Sequence, residues 1–235
     1  MNNYFNSFAE YYDLAKIKFI SINNVIWYVY QRALIPLGPV KLCYSLQAGE
    51  ISYLLSKFSN AFLIKYTDGF DIENRNKCLE WYAVIKEKHI DVGLLSSERR
   101  SEIKRGLKNY VIERIDAEYL SSNGFEIFLS AYKRYKGVKH FSLTPEGFKN
   151  RILERKSFSN IFHFWGIFNN SRLIGYAENL IYDNIEVNYS TIKLNPQYLE
   201  FYPSYALIYQ MNKYYLEQCG FEYVNDGFRS ILHQS

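Results

Sequence analysis

Residues 161–225 carry the pattern that most restricts how this chain can fold. Three runs suited to strands, 161–168, 173–182 and 185–194, are separated only by Asn169-Asn170-Ser171 and Asp183-Asn184. Two short polar turns between three such runs make an antiparallel meander. A long helical stretch follows, from about Ser204 to Gln218, with Ile208, Met211 and Tyr215 at i, i+3 and i+7 on the face that should pack on the sheet. Gly220 is placed to stop that helix. The spacing predicts a last strand over 221–225, parallel to the third because a helical crossover joins them.

Upstream the signals are more local. Phe5, Phe8, Tyr11, Tyr12 and Ala15 repeat at helical spacing over 4–15. Strands are expected at 19–22 and 25–33, with Asn23-Asn24 as a tight turn between them. Pro36, Gly38 and Pro39 break the pattern. A helix near 48–58, a strand near 61–66, a turn at Asp68-Gly69 and a helix over 74–88 are expected next. In 97–108, Ser96 or Ser97 supplies an N-cap ahead of Glu98. Arg100, Lys104 and Lys108 then share one helix face, suited either to solvent or to an anion such as a cofactor phosphate, a nucleotide or RNA. A strand at 111–115, a helix over 122–136 and a helix from Thr144-Pro145 to about Arg155 complete the series.

The chain has 235 residues, room for one large domain or two small ones. With 48% apolar and 22% charged residues it is neither collagen-like nor disordered. A net charge of +4, from 28 basic and 24 acidic residues, tolerates an anionic ligand without marking a dedicated nucleic-acid protein. Cys43, Cys78 and Cys219 are widely spaced with no C-x-x-C, so a reducing cytoplasm is expected. No signal pattern opens the sequence, and the longest apolar run near the start, Val25 to Tyr30, is six residues. A spanning helix needs about 20, so no membrane span is expected and the chain reads as soluble and cytoplasmic. His89, His140, His163 and His233 lack ligand spacing, so no metal is expected. No G-x-S-x-G, Walker A or G-x-G-x-x-G motif occurs.

The order strand, helix, helix, three antiparallel strands, helix, strand resembles the core of the GNAT acyltransferases. It resembles more closely their Fem-like (FemAB-like) branch, in which two such domains sit in tandem. ERRSEIKRGLKN (98–109), PSYALIYQMNKYYLEQCGFEYVNDG (203–227) and the intervening hairpins carry the resemblance, over about residues 98–235. It implies an α/β (α+β) fold, a mixed, mostly antiparallel sheet flanked by helices. Residues 1–92 are then an N-terminal half, a degenerate GNAT-like copy, and 93–235 the acyltransferase domain. Against the family the chain stops early, just after Asp226-Gly227 and the start of a further helix at Ser230 to Gln234. The expectation is a domain short of its closing strands, or an edge completed by a partner.

The resemblance also implies N-acyl transfer, from acyl-CoA (acetyl-CoA) to an amine of a small molecule, sugar or amino-acid conjugate, by direct attack. In such folds the third and last strands splay, and the pantetheine arm lies in the gap. Here Ile192, Leu194 and Asn225 would line that gap. Ser204, Tyr205 and Ala206 would meet the pyrophosphate at the start of the long helix, where free N–H groups and the dipole favour negative charge. The loop departs from the family pattern, since no glycine lies between Gly175 and Gly220, Pro203 lacks an N–H and Glu200 repels phosphate. Fem-like members that take acyl groups from aminoacyl-tRNA often lack a strict loop, so tRNA is the alternative donor, met by Arg100, Lys104, Arg105 and Lys108. A non-catalytic binding module on the same fold is the third reading.

Transfer to an amine needs an acceptor for its proton and a donor for the leaving group. Glu178 is the first candidate, a carboxylate in mid-strand, with a solvent-facing position as the ordinary alternative. Tyr189, beside the expected splay with Ser190 and Thr191, is the second, against routine strand propensity. Asp226, in Asn225-Asp226-Gly227 at the end of the last strand, is the third, against an ordinary turn. The 23 tyrosines and 17 phenylalanines, many on strands and over 198–215, suggest a broad amphipathic cleft.

Overall fold

A computed structural model of the chain describes residues 3–67, 81–134 and 143–230. Helix α1 (Asn3–Leu14) is followed by β1 (Phe19–Ile22), β2 (Val25–Tyr30), β3 (Ala33–Leu37), α2 (Ala48–Lys57) and β4 (Leu63–Ile64). After β5 (Trp81–Lys86) come α3 (Ser97–Asn109), β6 (Val111–Ile115), α4 (Ala117–Asn123), α5 (Phe125–Tyr132) and α6 (Pro145–Leu153). The remainder is β7 (Phe162–Asn169), β8 (Arg172–Tyr182), β9 (Glu186–Leu194), α7 (Pro203–Asn212) and β10 (Tyr223–Ser230). The chain divides into two compact units, Met1–Val84 with Phe228–Ser235, and Ile85–Gly227. Among the described residues no helix is long and apolar enough to cross a membrane.

In the first unit β1 to β4 form a four-stranded sheet in chain order. Its core gathers Trp27, Leu34, Leu54 and Phe58. Asn23 and Asn24 both take positive φ, the turn their side chains favour. The run expected as one strand over 25–33 is broken by a second tight turn at Gln31 and Arg32, also at positive φ (49° and 67°). Neither residue signals such a turn, so the third strand escaped the sequence pattern.

The second sheet has the order β5-β10-β9-β8-β7-β6. The meander is present: β6–β7, β7–β8 and β8–β9 are antiparallel, and β10 joins β9 in parallel. Strand β10 lies inside this order, between β9 and β5. The sequence placed a helix over 74–88; residues 81–86 are a strand instead, in keeping with the aromatic and β-branched run Trp-Tyr-Ala-Val-Ile. The helix expected over 122–136 starts earlier, capped by Asp116, and divides at Gly124. A Cβ at Gly124 would lie 2.6 Å from the Leu120 side chain and 2.7 Å from its carbonyl, so only glycine fits the break. Thr144 caps α6 as expected, its Oγ accepting the Gly147 N–H at 3.0 Å. The turn at Asp68-Gly69, residues 74–80, Cys78, His140, His233 and the helix expected at 230–234 lie outside the described residues, Ser230 excepted as the last residue of β10.

Helix α7 lays Leu207 and Met211 in the core of the sheet and continues over 213–218 as a π-helix, its wide turn closed by Cys219 N–H donating to Tyr214 C=O. Tyr215, in that segment, is fully buried against Trp165, Ile181, Val187 and Tyr189. Gly220, at φ 72°, ends the helix. A hydrogen bond from the Tyr189 hydroxyl to Asn212 ties β9 to the C-terminal end of α7.

Candidate active site

The site begins with a mismatch in register. Between Glu178↔Thr191 and Leu180↔Asn188, β8 supplies Asn179 alone while β9 supplies Tyr189 and Ser190. One extra residue is a β-bulge, which bends its strand and increases local twist. The Ser190 hydroxyl donates to the Glu178 carbonyl at 2.9 Å across it. On the other side of β9, the parallel pairing with β10 spans only Tyr223↔Glu186, Val224↔Val187 and Asn225↔Asn188. Past that rung β9 stays paired to β8 as far as Leu194↔Gly175, while its edge toward β10 is unpaired. Gly227, at φ 82°, turns β10 in a conformation that glycine adopts without strain. The Asn225 Oδ1 accepts the Gly227 N–H at 2.8 Å and fixes that turn. The two strands therefore fork, and the fork exposes backbone N–H and C=O groups that a regular sheet would satisfy.

Tyr189 and Asp226 are the first residues beyond the last rung. Tyr189 is buried and its hydroxyl donates to Asn212 Oδ1 at 2.9 Å. Burial pushes the phenol well above its ordinary pKa, and the charges of Tyr215 and Asp226 push it the same way. Tyr189 thus stays a neutral proton donor at neutral pH. Below the fork Glu186 is fully buried, accepting from Asn225 Nδ2 at 2.9 Å and Asn188 Nδ2 at 3.4 Å. Both ends of the Asn225 side chain are therefore engaged within the protein. Ile192 and Leu194 lie on the unpaired stretch of β9 with their side chains packed against the core.

Glu178 is buried, not solvent-facing, and forms a salt bridge with Arg155. Arg155 also lies over the Phe162 ring, 5.0 Å from its centre. A carboxylate held by a partly buried guanidinium has a cation on the lone pair that proton removal would use.

The first turn of α7 is crowded. Tyr202, its N-cap, is left-handed at φ 57° and gives no side-chain cap. Helix α3 packs directly on it: a Cβ at Gly106 would lie 2.7 Å from the Ala206 side chain and 2.8 Å from the Tyr202 carbonyl. Arg105 lies over the Phe201 and Tyr202 rings, at 5.9 and 5.3 Å, and Arg99 over Tyr205 at 5.1 Å. The basic face expected on α3 is divided. Arg100 turns back to donate to the Leu95 carbonyl at 3.1 Å, while Lys104 and Lys108 face solvent. Ala206 is fully buried by this contact, whereas Ser204 and Tyr205 line a cavity of about 260 Å³.

That cavity runs along the outer face of α7 to Asn212, the partner of Tyr189. Residues Lys86 and His89 close it from the opposite side. The His89 ring meets Tyr209 edge-on at 4.9 Å, and its Nε2 is 3.7 Å from the Glu217 carboxylate. The Nδ1 atom is buried and has no hydrogen-bond partner among the described residues. Burial lowers the His89 pKa, with Lys86 and Lys213 adding to the fall and Glu217 and Asp91 opposing it.

Of the residues the sequence singled out, the structure brings Tyr189 and Asp226 together at the fork and Ser204 and Tyr205 into the cavity. It sets Glu178, Ala206 and Asn225 into internal contacts. His89 and Asn212 escaped the sequence reading. Asn212 sits one residue past the apolar stripe of its helix, and His89 lies in a stretch without periodicity. Among the described residues no group of three or more His, Cys, Asp or Glu side chains converges as a metal site would.

No family model and no curated protein matches the chain in sequence. Its backbone does match solved structures. FemX superposes with a TM-score of 0.59 at 10% identity, over 97% of this chain and 84% of that one. The C-terminal domain (DUF2156) of a protein described as a lysylphosphatidylglycerol synthetase from Agrobacterium fabrum superposes at 0.55 and 9% identity, over 98% and 74%. A conserved protein of unknown function from Bacteroides thetaiotaomicron gives 0.52 and 11%, over 95% and 80%. The forked sheet, the crossover helix and these superpositions agree: the chain has a GNAT/FemAB-like fold.

Proposed function

We propose that the chain is an N-acyltransferase whose acyl donor enters the fork between β9 and β10 and is attacked directly by an amine. The observation that carries this reading is the end of β9–β10 pairing at Asn188↔Asn225, beside a phenol held neutral. An acyl-CoA thioester suits such a fork, because its amide-bearing arm can pair with the open edge of β9 as a strand would. Tyr189, kept neutral by its burial, donates a proton to the leaving thiolate, with Asp226 beside it at the fork. Glu178 serves the architecture through Arg155. A cytoplasmic location goes with this reading, in keeping with the free, exposed Cys43 and Cys219.

One observation favours a second donor. Helix α3 roofs the start of α7, where a CoA pyrophosphate would sit, and covers it with arginines on aromatic rings. Arginine beside stacked aromatics suits a nucleic-acid end, so an aminoacyl-tRNA is the alternative donor. Thermal shift with acetyl-CoA, CoA and tRNA separates the two, since a ligand of the native state raises apparent stability. A shift with CoA supports the thioester, and a salt-sensitive shift with tRNA alone supports the ester. Silence from all three removes both enzyme readings and leaves the binding module. With the donor known, Tyr189→Phe should lower turnover about a hundredfold while the protein stays folded, the usual scale for a lost proton donor. Unchanged turnover would remove Tyr189 from the chemistry.

A further inference from the structure

The fork accounts for the donor and for the leaving group but leaves the amine proton without an acceptor. The cavity on the outer face of α7 holds an atom suited to that task. His89 has a side chain 9% exposed, and its buried Nδ1 has no hydrogen-bond partner among the described residues. A buried nitrogen left without a partner is uncommon in folded proteins and points to a ligand or a reaction. The Glu217 carboxylate, 3.7 Å from Nε2, favours the tautomer with its proton on that atom. The Nδ1 lone pair is then free. The ring lies against Tyr209, over the end of α7 that bears Asn212, and Asn212 holds the Tyr189 hydroxyl.

The other cavity groups define what would enter. Lys86 forms no salt bridge among the described residues, and Asn212 spends its oxygen on Tyr189 while its amide nitrogen has no partner among them. Ser204 adds a hydroxyl. These three are donors suited to a carboxylate. Ile90, Leu95, Ile103 and Ile208 make the rest of the wall apolar. A volume of about 260 Å³ accommodates a small aliphatic molecule with its head groups.

We propose that this cavity is the acceptor site, that it takes a small aliphatic amino acid, and that His89 Nδ1 removes the amine proton. The inference rests on the acyl-transfer reading. In the step, the amine lone pair attacks the acyl carbon, the C–N bond forms and the C–S bond of the thioester breaks. One amine proton passes to His89 Nδ1, and the leaving thiolate takes the Tyr189 proton. The imidazolium then returns its proton to the Tyr189 phenolate through solvent, so the products are the amide and the free thiol.

The test is isothermal titration of the full chain, without donor, using L-leucine, isoamylamine (lacking the carboxylate) and isocaproate (lacking the amine). Leucine should bind at least about tenfold more tightly than either analogue. Lys86→Met should erase the advantage of leucine over isoamylamine and leave isoamylamine unchanged. His89→Phe should erase its advantage over isocaproate. His89→Gln should also lower kcat for leucine acylation about a hundredfold with a smaller change in KM. The proposal is overturned if leucine gives no binding heat, if isocaproate binds as well as leucine to the unaltered chain, or if CoA displaces leucine. If transfer to amines occurs but neither His89 nor Lys86 affects leucine binding, the acceptor site falls and the enzyme reading stands. If leucine binds through both residues and no donor supports transfer, the enzyme reading falls alone.

Discussion

Two neighbouring strand pairs in one sheet are built to opposite ends. Strands β7 and β8 are joined by eight rungs from Phe162↔Leu180 to Asn169↔Arg172, whereas β9 and β10 are joined by three. Beside the long ladder the side chains are sealed. The Tyr215 hydroxyl accepts from Trp165 Nε1 at 2.8 Å and Asn179 Nδ2 at 3.2 Å, and Arg114 donates to His163 Nδ1 at 2.9 Å. Beside the short one, Tyr189 is buried with its hydroxyl on Asn212, and Asp226 is half-buried. Both neighbourhoods carry a register shift, at Ile167/Phe168 and at Tyr189-Ser190, and the short pair also meets a glycine turn at 227. Pairing thus ends at local irregularities, with the hydrophobic core intact around them.

The largest expected effect belongs to the sealed side. Glu178→Gln leaves the Arg155 guanidinium without its buried counter-charge, and breaking such a pair typically costs about 3–5 kcal/mol. Chemical denaturation should show that loss, with remaining turnover in the folded fraction near that of the parent. The reverse outcome, stability kept and turnover lost, would move Glu178 from the architecture into the chemistry and erase the contrast between the two strand pairs.

A second effect of pH lies on the same side. Burial and the Arg114 charge push the His163 pKa down to about 3, from an ordinary 6.5. Between those values the unfolded chain binds a proton that the folded chain does not. Stability is therefore full above about pH 6.5 and falls as pH drops toward 3, by at most about 2 kcal/mol at pH 5 for this residue alone. Denaturation at pH 7 and pH 5 should show the fall, and His163→Gln should lose this share of it. An equal fall in the variant would mean that the sealed network titrates elsewhere.

How much of this was legible follows from where each signal resides. Asn23-Asn24, Thr144-Pro145 and Gly220 act within one turn of chain, so their roles could be read in place. The meander and its crossover helix were legible because alternation and helical periodicity persist over many residues. Gln31-Arg32 take positive φ against their own preference, since β2 and β3 must pair, and no local reading finds that. Residues 81–86 are short and apolar, a pattern that fits helix and strand alike. The bulge exists only in the register between β8 and β9, so Tyr189 could be placed beside a splay but its cause could not. His89 gains its meaning from Glu217, Tyr209 and Asn212, all more than a hundred residues away.

The smallest effect tests the open side directly. Gly227 and Gly220 both sit in the left-handed region, at φ 82° and 72°. Alanine at either position should cost about 1–2 kcal/mol from backbone strain alone. Gly220 has open space where a Cβ would go and ends a helix away from the fork, so Gly220→Ala should lose stability and keep turnover. Gly227→Ala should lose a similar amount of stability, yet it disturbs the turn that Asn225 holds next to Asp226. Turnover should therefore fall at least about tenfold more in Gly227→Ala than in Gly220→Ala, with equal m-values showing that both variants fold to the same compactness. If the two variants match in turnover as well as in stability, the kink at Gly227 is not what holds the strands apart, and the bulge at Tyr189-Ser190 opens the fork by itself.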